Sequence, residues 1–239
     1  MAASSVRIYA DFVSQPSRAV ILFCRAARIP HEVKLTRLAK GANRTAEFLK
    51  LNPLGQVPVA EFEDGWALAE SHAIMKYLCA THPEVEDSWY PSDARVRARL
   101  DAAMDMQHSQ IRRCSTWTFA RVMGPLGDLP AASPEVAEWH GKMARRSIKQ
   151  FDSVLAQSAA EGPGSFLGGT ERASIADLSI ACELQQLEGV PGGVEFMQPS
   201  ARVLDWQAAV KEQLQPHWDE VGSVLARVRA AAEAKGLRA

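Results

Sequence analysis

The sequence predicts a molecule in two parts, a small α/β unit followed by a half built of helices alone. Val6, Ile8 and Ala10 alternate with polar neighbours, as in a half-buried strand. The pair Asp64-Gly65 stands between two short apolar runs, which is a typical hairpin signal. In the later part of the chain, apolar residues recur at helical spacing instead. We therefore predict an α/β domain at residues 1–83, a linker at 84–91 and an all-helical domain at 92–239.

The elements of the first part follow in the order β-α-β-α-β-β-α. Pro16 opens the first helix, because proline suits the first helical position, where its missing N–H is not needed. Residues 19–24 are apolar on every side, so this helix should be buried. A second strand is expected at residues 31–35 and a polar helix at 45–50, before the hairpin and a last helix. These elements pack as a small mixed sheet with helices on its faces.

The second part begins after a break at residues 82–91, which combines two prolines with an acidic cluster. Apolar residues between Val96 and Ile111 follow an i, i+4, i+7 pattern, which predicts a long helix from about Ser92 to the region of Val122. Serine caps and prolines mark the later helix starts. Further helices are predicted to begin at Ser133, at Ser174, near Ser200 and near Pro216.

Composition excludes several classes of protein. The chain of 239 residues has 27 basic and 28 acidic residues and a net charge of −1, which argues against a nucleic-acid-binding protein and a polybasic membrane surface. The sequence has no apolar run of about 18 residues, and no export signal is visible at its start. The four cysteines lie far apart, which argues against a disulfide framework or a metal site. We therefore expect a cytoplasmic globular protein.

Four motifs occur in order along the chain. They are Ser-Gln-Pro-Ser-Arg-Ala-Val at Ser14–Val20, Asn-Pro-Leu-Gly-Gln-Val-Pro at Asn52–Pro58, Glu70-Ser71, and Gln107-His108 with Arg112-Arg113. Together they resemble the cytosolic glutathione S-transferases, and the theta class in particular, over most of the chain. The resemblance implies a thioredoxin-like first domain that binds glutathione and an all-helical second domain that forms the electrophile pocket. It also implies a homodimer, with glutathione as co-substrate and neither a metal nor another cofactor.

Ser14 is the catalytic residue that the resemblance implies. A serine hydroxyl is too weak a base to remove a thiol proton at neutral pH, but it can donate a hydrogen bond to a thiolate and so favour the charged form. The positive end of the helix that opens at Pro16 adds to this effect. Ser17, nearly one turn further along, is the competing hydroxyl. A purely structural reading, in which Ser14 satisfies backbone groups at the turn, remains open.

The resemblance also implies where the tripeptide binds. A cis bond between Val57 and Pro58 would expose the backbone of Val57, so that the cysteinyl segment pairs with it like an added strand. Ser71 is expected to cap the following helix and to take the γ-glutamyl carboxylate, while Glu70 pairs with the α-amino group. The full set of expected glutathione contacts is Asn43, Arg44, Gln56, Val57, Pro58, Glu70, Ser71 and Ser109.

Asn43 stands where the family often contacts the glycyl carboxylate. Theta relatives frequently carry His at this place, so Asn43 departs from the pattern, and Lys40 and Arg44 are basic alternatives. On the long helix, Arg112 is expected to reach the thiolate or the tripeptide, whereas His108 is expected to be structural.

Two further features have structural interpretations. Ser174 and Asp177 are spaced as in a capping box, which predicts a stabilising role for Asp177. The cysteines are expected to be small core residues, although Cys114 beside Arg112 could be activated by positive charge.

Three functions compete on these observations. The first is a glutathione transferase that acts on hydrophobic electrophiles, with organic hydroperoxides and small halides as further substrates. The second is a carrier of hydrophobic ligands, or a subunit of a complex, on the same scaffold. The third, a thiol–disulfide oxidoreductase, is disfavoured because no cysteine occupies the position of Ser14.

Overall fold

A four-stranded sheet forms the centre of the amino-terminal part in the computed structural model, which describes residues 5–130 and 132–238. The strands are β1 (Val6–Ala10), β2 (His31–Leu35), β3 (Val59–Glu61) and β4 (Ala67–Ala69). Their order is β2-β1-β3-β4; β1 is parallel to β2 and antiparallel to β3, and β3 is antiparallel to β4. The predicted hairpin is confirmed, and Gly65 provides its positive φ of 81°.

Three α-helices of the described residues accompany this sheet. They are α1 (Gln15–Ala26), α2 (Ala46–Leu51) and α3 (Ser71–Thr81). Pro16 lies in the first turn of α1, as predicted, and the apolar residues 19–24 are fully buried. Side chains of β1, α1 and α3 share one hydrophobic core with the helical half of the molecule. The thioredoxin-like arrangement of the first domain is therefore confirmed.

The described residues after position 91 contain helices and no strand. The helices are α4 (Ala94–Met106), α5 (Arg113–Thr118), α6 (Gly124–Leu126), α7 (Pro134–Glu161), α8 (Ile175–Gln185), α9 (Ala201–Gln213) and α10 (His217–Ala234). The long helix predicted from Ser92 to Val122 is not regular, because π-helical turns at Gln107–Ile111 and Phe119–Met123 separate α4, α5 and α6. None of the helices in the described part is long and apolar enough to cross a bilayer.

The two halves meet where α1 packs against α8. Every residue of α8 is buried, which makes it the central helix of the second half. The segment between the halves contributes as well, because the ring of Trp89 packs edge-on against Phe23 of α1 with centroids 5.3 Å apart. The contacts with α8 and with Trp89 thereby hold α1 against the helical half.

Candidate functional site

Ser14 caps the amino-terminal end of α1. Its backbone is extended (φ −83°, ψ 116°), its N–H donates to the carbonyl oxygen of Asp11, and its Oγ accepts the N–H of Ser17 at 3.4 Å. The hydroxyl acts as an acceptor in the cap, so its own proton can be donated to a bound group. Ser14 is half-buried, whereas Ser17 is fully buried. Of the two candidate hydroxyls, Ser14 is the accessible one.

Two asparagine amides build the loop before β3. Asn43 Nδ2 donates to the carbonyl oxygen of Gly55 at 2.7 Å, and Asn52 Nδ2 donates to that of Gln56 at 2.9 Å. Gly55 has a φ of 61°, and a Cβ there would lie 2.9 Å from the carbonyl oxygen of Asn43, so the close approach requires glycine. The Val57–Pro58 bond is cis, as the sequence resemblance implied.

Arg44 and Gln56 differ in role from Asn43. Asn43 is buried and its amide serves the loop, while Arg44 and Gln56 are exposed beside it. Arg44 Nη1 lies 3.0 Å from the position that a Cβ of Gly55 would take. Arg44 and Gln56 are therefore available to meet a ligand at this loop, as is the exposed Lys40, and Asn43 holds the loop in place.

The start of α3 differs from the sequence prediction. Ser71 is not the N-cap but the first helical residue, and it is buried. The N-cap is Glu70, whose φ of 71° places it in the left-handed region, which is uncommon for a residue other than glycine. This conformation leaves Glu70 exposed at the amino-terminal end of α3. Backbone strain of this kind often marks a ligand site.

Arg112 follows the first π turn. Its side chain is 31 % exposed, its Nη2 lies 3.3 Å from His108 Nδ1, and its Nε lies 3.6 Å from Oε2 of Glu183. Ser109, expected to bind glutathione, turns its hydroxyl back on the helix and donates to the carbonyl oxygens of Asp105 and Met106.

Glu183 was missed from the sequence. It is completely buried, and its Oε2 accepts hydrogen bonds from Gln15 Nε2 at 3.1 Å and Gln107 Nε2 at 2.6 Å. Gln15 is the residue next to Ser14. A signal was present, since Glu183 is one of only two charged residues in the otherwise apolar and neutral stretch 175–185. A charged residue in a helix buried all round needs partners.

Two histidines lie beside this cluster. The rings of His72 and His108 are 4.5 Å apart, and His72 Nε2 lies 2.7 Å from Ser179 Oγ. Burial above all, together with the charges of His108, Lys76 and Arg112, lowers the pKa of His72 to about 3. Burial and Arg112 also lower the pKa of His108. Both rings are therefore mainly neutral at pH 7, which fits a structural role.

The cysteines do not supply a reactive thiolate. Cys24, Cys114 and Cys182 are buried, and Cys79 packs half-buried against the core. Burial raises the pKa of Cys24, Cys79 and Cys182 to about 12 and also raises that of Cys114. Activation of Cys114 by its arginine neighbours, considered from the sequence, is therefore wrong. Within the described part of the chain, no cluster of three His, Cys, Asp or Glu side chains could hold a metal ion.

Asp177 makes the hydrogen bonds that its predicted structural role requires. The capping box with Ser174 is confirmed, and the carboxylate also accepts the backbone N–H of Leu167 at 3.0 Å and the indole N–H of Trp206 at 2.8 Å.

A cavity of about 500 Å³ opens elsewhere, between α5, α7 and the 3₁₀ helix at Gly193–Phe196. Trp117 and Phe196 line it with ring centroids 4.0 Å apart, and the guanidinium of Arg145 lies over the Phe196 ring. None of the expected glutathione contacts lines this cavity, so it is separate from the Ser14 region.

Comparison with known proteins agrees with this geometry. Residues 13–81 match the family described as "Glutathione S-transferase, N-terminal domain". The chain is 36 % identical to Glutathione S-transferase T1 of Arabidopsis thaliana, over 94 % of this chain and 90 % of the relative. It is 32 % identical to Glutathione S-transferase theta-1 of Homo sapiens, over 87 % and 85 %. A crystal structure of human glutathione transferase theta-2 in complex with glutathione and an unknown ligand superimposes with a TM-score of 0.81, at 29 % identity, over 97 % of this chain and 92 % of that one.

Proposed function

This chain belongs to the theta class of the glutathione S-transferases, and on that basis we propose that Ser14 holds the sulfur of bound glutathione as a thiolate. The sulfur proton passes to solvent, and the Ser14 hydroxyl donates its hydrogen bond to the anion. The thiolate then attacks an electrophilic carbon. An S–C bond forms while the leaving group departs with the electron pair of the broken bond.

The energetic demand on the site is modest. A free thiol has a pKa of about 8.5, and each unit of lowering needs about 1.4 kcal/mol. One charge-assisted hydrogen bond from Ser14 and the positive end of α1 together supply roughly two units. Arg112 adds positive charge from the helical half. The observation that carries the proposal is the accessible Ser14 hydroxyl, which accepts its cap bond and keeps its proton for the sulfur.

The other binding residues are assigned to the three parts of glutathione in turn. The backbone of Val57, before the cis bond to Pro58, pairs with the cysteinyl segment. Glu70 and Ser71 at the start of α3 take the γ-glutamyl group. Arg44 and Gln56 take the glycyl carboxylate, because the amide of Asn43 is engaged by Gly55.

We assign glutathione binding to residues 1–83 and the pocket for a small hydrophobic electrophile to residues 92–239, in a cytoplasmic homodimer. Organic hydroperoxides are a further substrate class. There the thiolate attacks the terminal oxygen, the O–O bond breaks, and the alkoxide takes a proton from solvent and leaves as an alcohol. The sulfenic acid of glutathione then condenses with a second glutathione to give the disulfide and water.

Titration of bound glutathione by thiolate ultraviolet absorbance tests the proposal. The wild-type protein should lower the pKa of the thiol, and Ser14→Ala should return it towards the free value and reduce kcat by about a hundredfold or more. Ser14→Thr, which keeps a hydroxyl, should recover part of the effect. If Ser14→Ala keeps both the thiolate signal and turnover, the assignment is wrong.

A further inference from the structure

One buried carboxylate oxygen connects three parts of the site. Oε2 of Glu183 on α8 accepts hydrogen bonds from Gln15 on α1 and Gln107 in the first π turn, and it lies 3.6 Å from Nε of Arg112. Glu183 is fully buried, whereas the Arg112 side chain is 31 % exposed. The carboxylate is thus inside the protein, and the arginine that it holds extends towards the surface.

The π turn explains how Gln107 and Arg112 meet one partner. Residues five apart in a regular α-helix point roughly 140° away from each other, because there are about 3.6 residues per turn. Here the N–H of Arg112 donates to the carbonyl oxygen of Gln107 at 2.9 Å, the five-residue spacing of a π-helix. That bond stacks the two residues on one side of the helix, where both side chains reach Glu183.

The charges around this oxygen restrict what Arg112 can do. A buried carboxylate needs a nearby cation or several donors, and Arg112 is the cation in contact with Glu183. The other group in contact with the Arg112 guanidinium is His108, which in turn faces Glu70, Asp105 and His72. Oε1 of Glu183 and Oε1 of Gln107 are buried without a hydrogen-bond partner in the described structure. Hydrogen-bond acceptors therefore outnumber donors around Glu183, which favours a fixed position for the Arg112 guanidinium.

We propose that Glu183 is a positioning residue, which fixes the Arg112 guanidinium relative to the Ser14 end of α1. The inference rests on the proposed function, since it gives Arg112 its place near the sulfur. Glu183 is fully buried, so its role in the proposal is to act through Arg112 and not on a ligand directly. It acts by joining Gln15, the neighbour of Ser14, to the arginine through a single oxygen.

The direction in which the pKa of bound glutathione changes on removal of Glu183 distinguishes a positioning role from a direct effect of the Glu183 charge on the sulfur. A negative charge near the sulfur disfavours the thiolate, so its removal alone would lower the pKa of bound glutathione. If Glu183 instead fixes Arg112, its removal frees the guanidinium and the pKa of bound glutathione rises. The two explanations therefore predict opposite shifts.

Glu183→Gln, which keeps the size of the side chain, is the test. We expect a higher pKa for the bound thiol and a loss of kcat/KM between about tenfold and about a hundredfold. In an Arg112→Met background the same change should have little further effect, because its target is gone. Glu188→Gln removes a charge from the turn after α8 and should leave the pKa of the thiol unchanged. A lower pKa, or equal effects in both backgrounds, would overturn the inference.

Arg112→Lys keeps the proposal testable if Glu183→Gln does not fold. Lysine keeps the positive charge but lacks the Nε that pairs with Glu183, so this variant should resemble Arg112→Met in kcat/KM. Wild-type activity in Arg112→Lys would overturn the inference. A wild-type protein that leaves the thiol pKa at its free value contradicts the proposed function itself, before any variant is made.

Discussion

Arg18 on α1 and Gln186 just after α8 are joined by a hydrogen bond of 2.7 Å between Nη2 and Oε1. Arg18 is fully buried, and its Nη1 also donates to the carbonyl oxygen of Phe12 at 2.9 Å. Gln186 Nε2 donates to the carbonyl oxygen of Val13 at 3.3 Å. Both side chains therefore hold the turn that leads to Ser14 against the helical half.

Arg18→Met should destabilise the protein and weaken catalysis. The change leaves buried carbonyl oxygens without their donor, so we expect the free energy of unfolding to fall by about 3 kcal/mol. The kcat/KM for glutathione conjugation should fall as well, because the Ser14 turn loses its support. Arg25→Met is the control on the same helix: Arg25 pairs with Glu220 at the surface, and that loss should cost at most about 1 kcal/mol. Equal destabilisation in the two variants, measured by chemical denaturation, would contradict this role.

Substitutions of Asn43 and Arg44 should distinguish a residue that stabilises the loop from one that binds the ligand. Asn43→Ala leaves the buried carbonyl oxygen of Gly55 unpaired, so we expect a loss of about 1–3 kcal/mol in stability and a higher KM for glutathione. Arg44→Ala should raise KM while changing stability by no more than about 0.5 kcal/mol, because Arg44 is exposed. Melting temperatures and glutathione titrations measure both. A stability loss in Arg44→Ala but not in Asn43→Ala would reverse the assignment.

Asp177→Ala should reduce stability without removing the role proposed for Ser14. Its carboxylate is fully buried and accepts bonds from Ser174, Leu167 and Trp206, so truncation should cost about 3–5 kcal/mol. The protein that remains folded should still lower the pKa of bound glutathione. Asp205→Ala, on the exposed side of α9, is the matched control and should melt like the wild type. An unchanged melting temperature for Asp177→Ala would count against the prediction.

His72 should make stability depend on pH. Its pKa is about 3 in the folded protein and about 6.5 when exposed, so the unfolded chain binds the extra proton between these values. The contribution of neutral His72 to stability is therefore fully present above about pH 6.5. As the pH drops towards 3, this contribution is lost, and the free energy of unfolding falls by up to about 1.4 kcal/mol per pH unit. His72→Gln should give a flatter profile between pH 7 and pH 5 in chemical denaturation than the wild-type protein gives. Parallel profiles for His72→Gln and the wild type would show that the burial of His72 has no such effect.

Features that depend on neighbours in sequence were predicted well. The alternation around Ile8 gave β1, the Asp64-Gly65 pair gave the hairpin, and the spacing of Ser174 and Asp177 gave the capping box. In each case a few adjacent residues determine the backbone, so the pattern is readable without the rest of the chain.

Features that depend on contacts between residues far apart in the sequence were not predicted. Ser71 is a residue type that favours the N-cap position, but Glu70 is the N-cap. Its φ of 71° is not indicated by the neighbouring sequence. The bond between Gln15 and Glu183 spans 168 positions, and the π turn that brings Arg112 to the same carboxylate lies within an ordinary helical pattern. The partners of a buried charge depend on how distant helices pack together, and local sequence patterns do not indicate that packing.

The burial of the cysteines has a consequence for how long the protein stays chemically intact. A catalyst that brings alkylating compounds together with a thiolate risks having its own sulfur atoms modified. Cys24, Cys114 and Cys182 are shut inside the fold, and all four thiols keep their protons well above neutral pH. In the proposed function the sulfur nucleophile therefore arrives with the tripeptide and leaves with the product, so that turnover should not alkylate the protein's own cysteines.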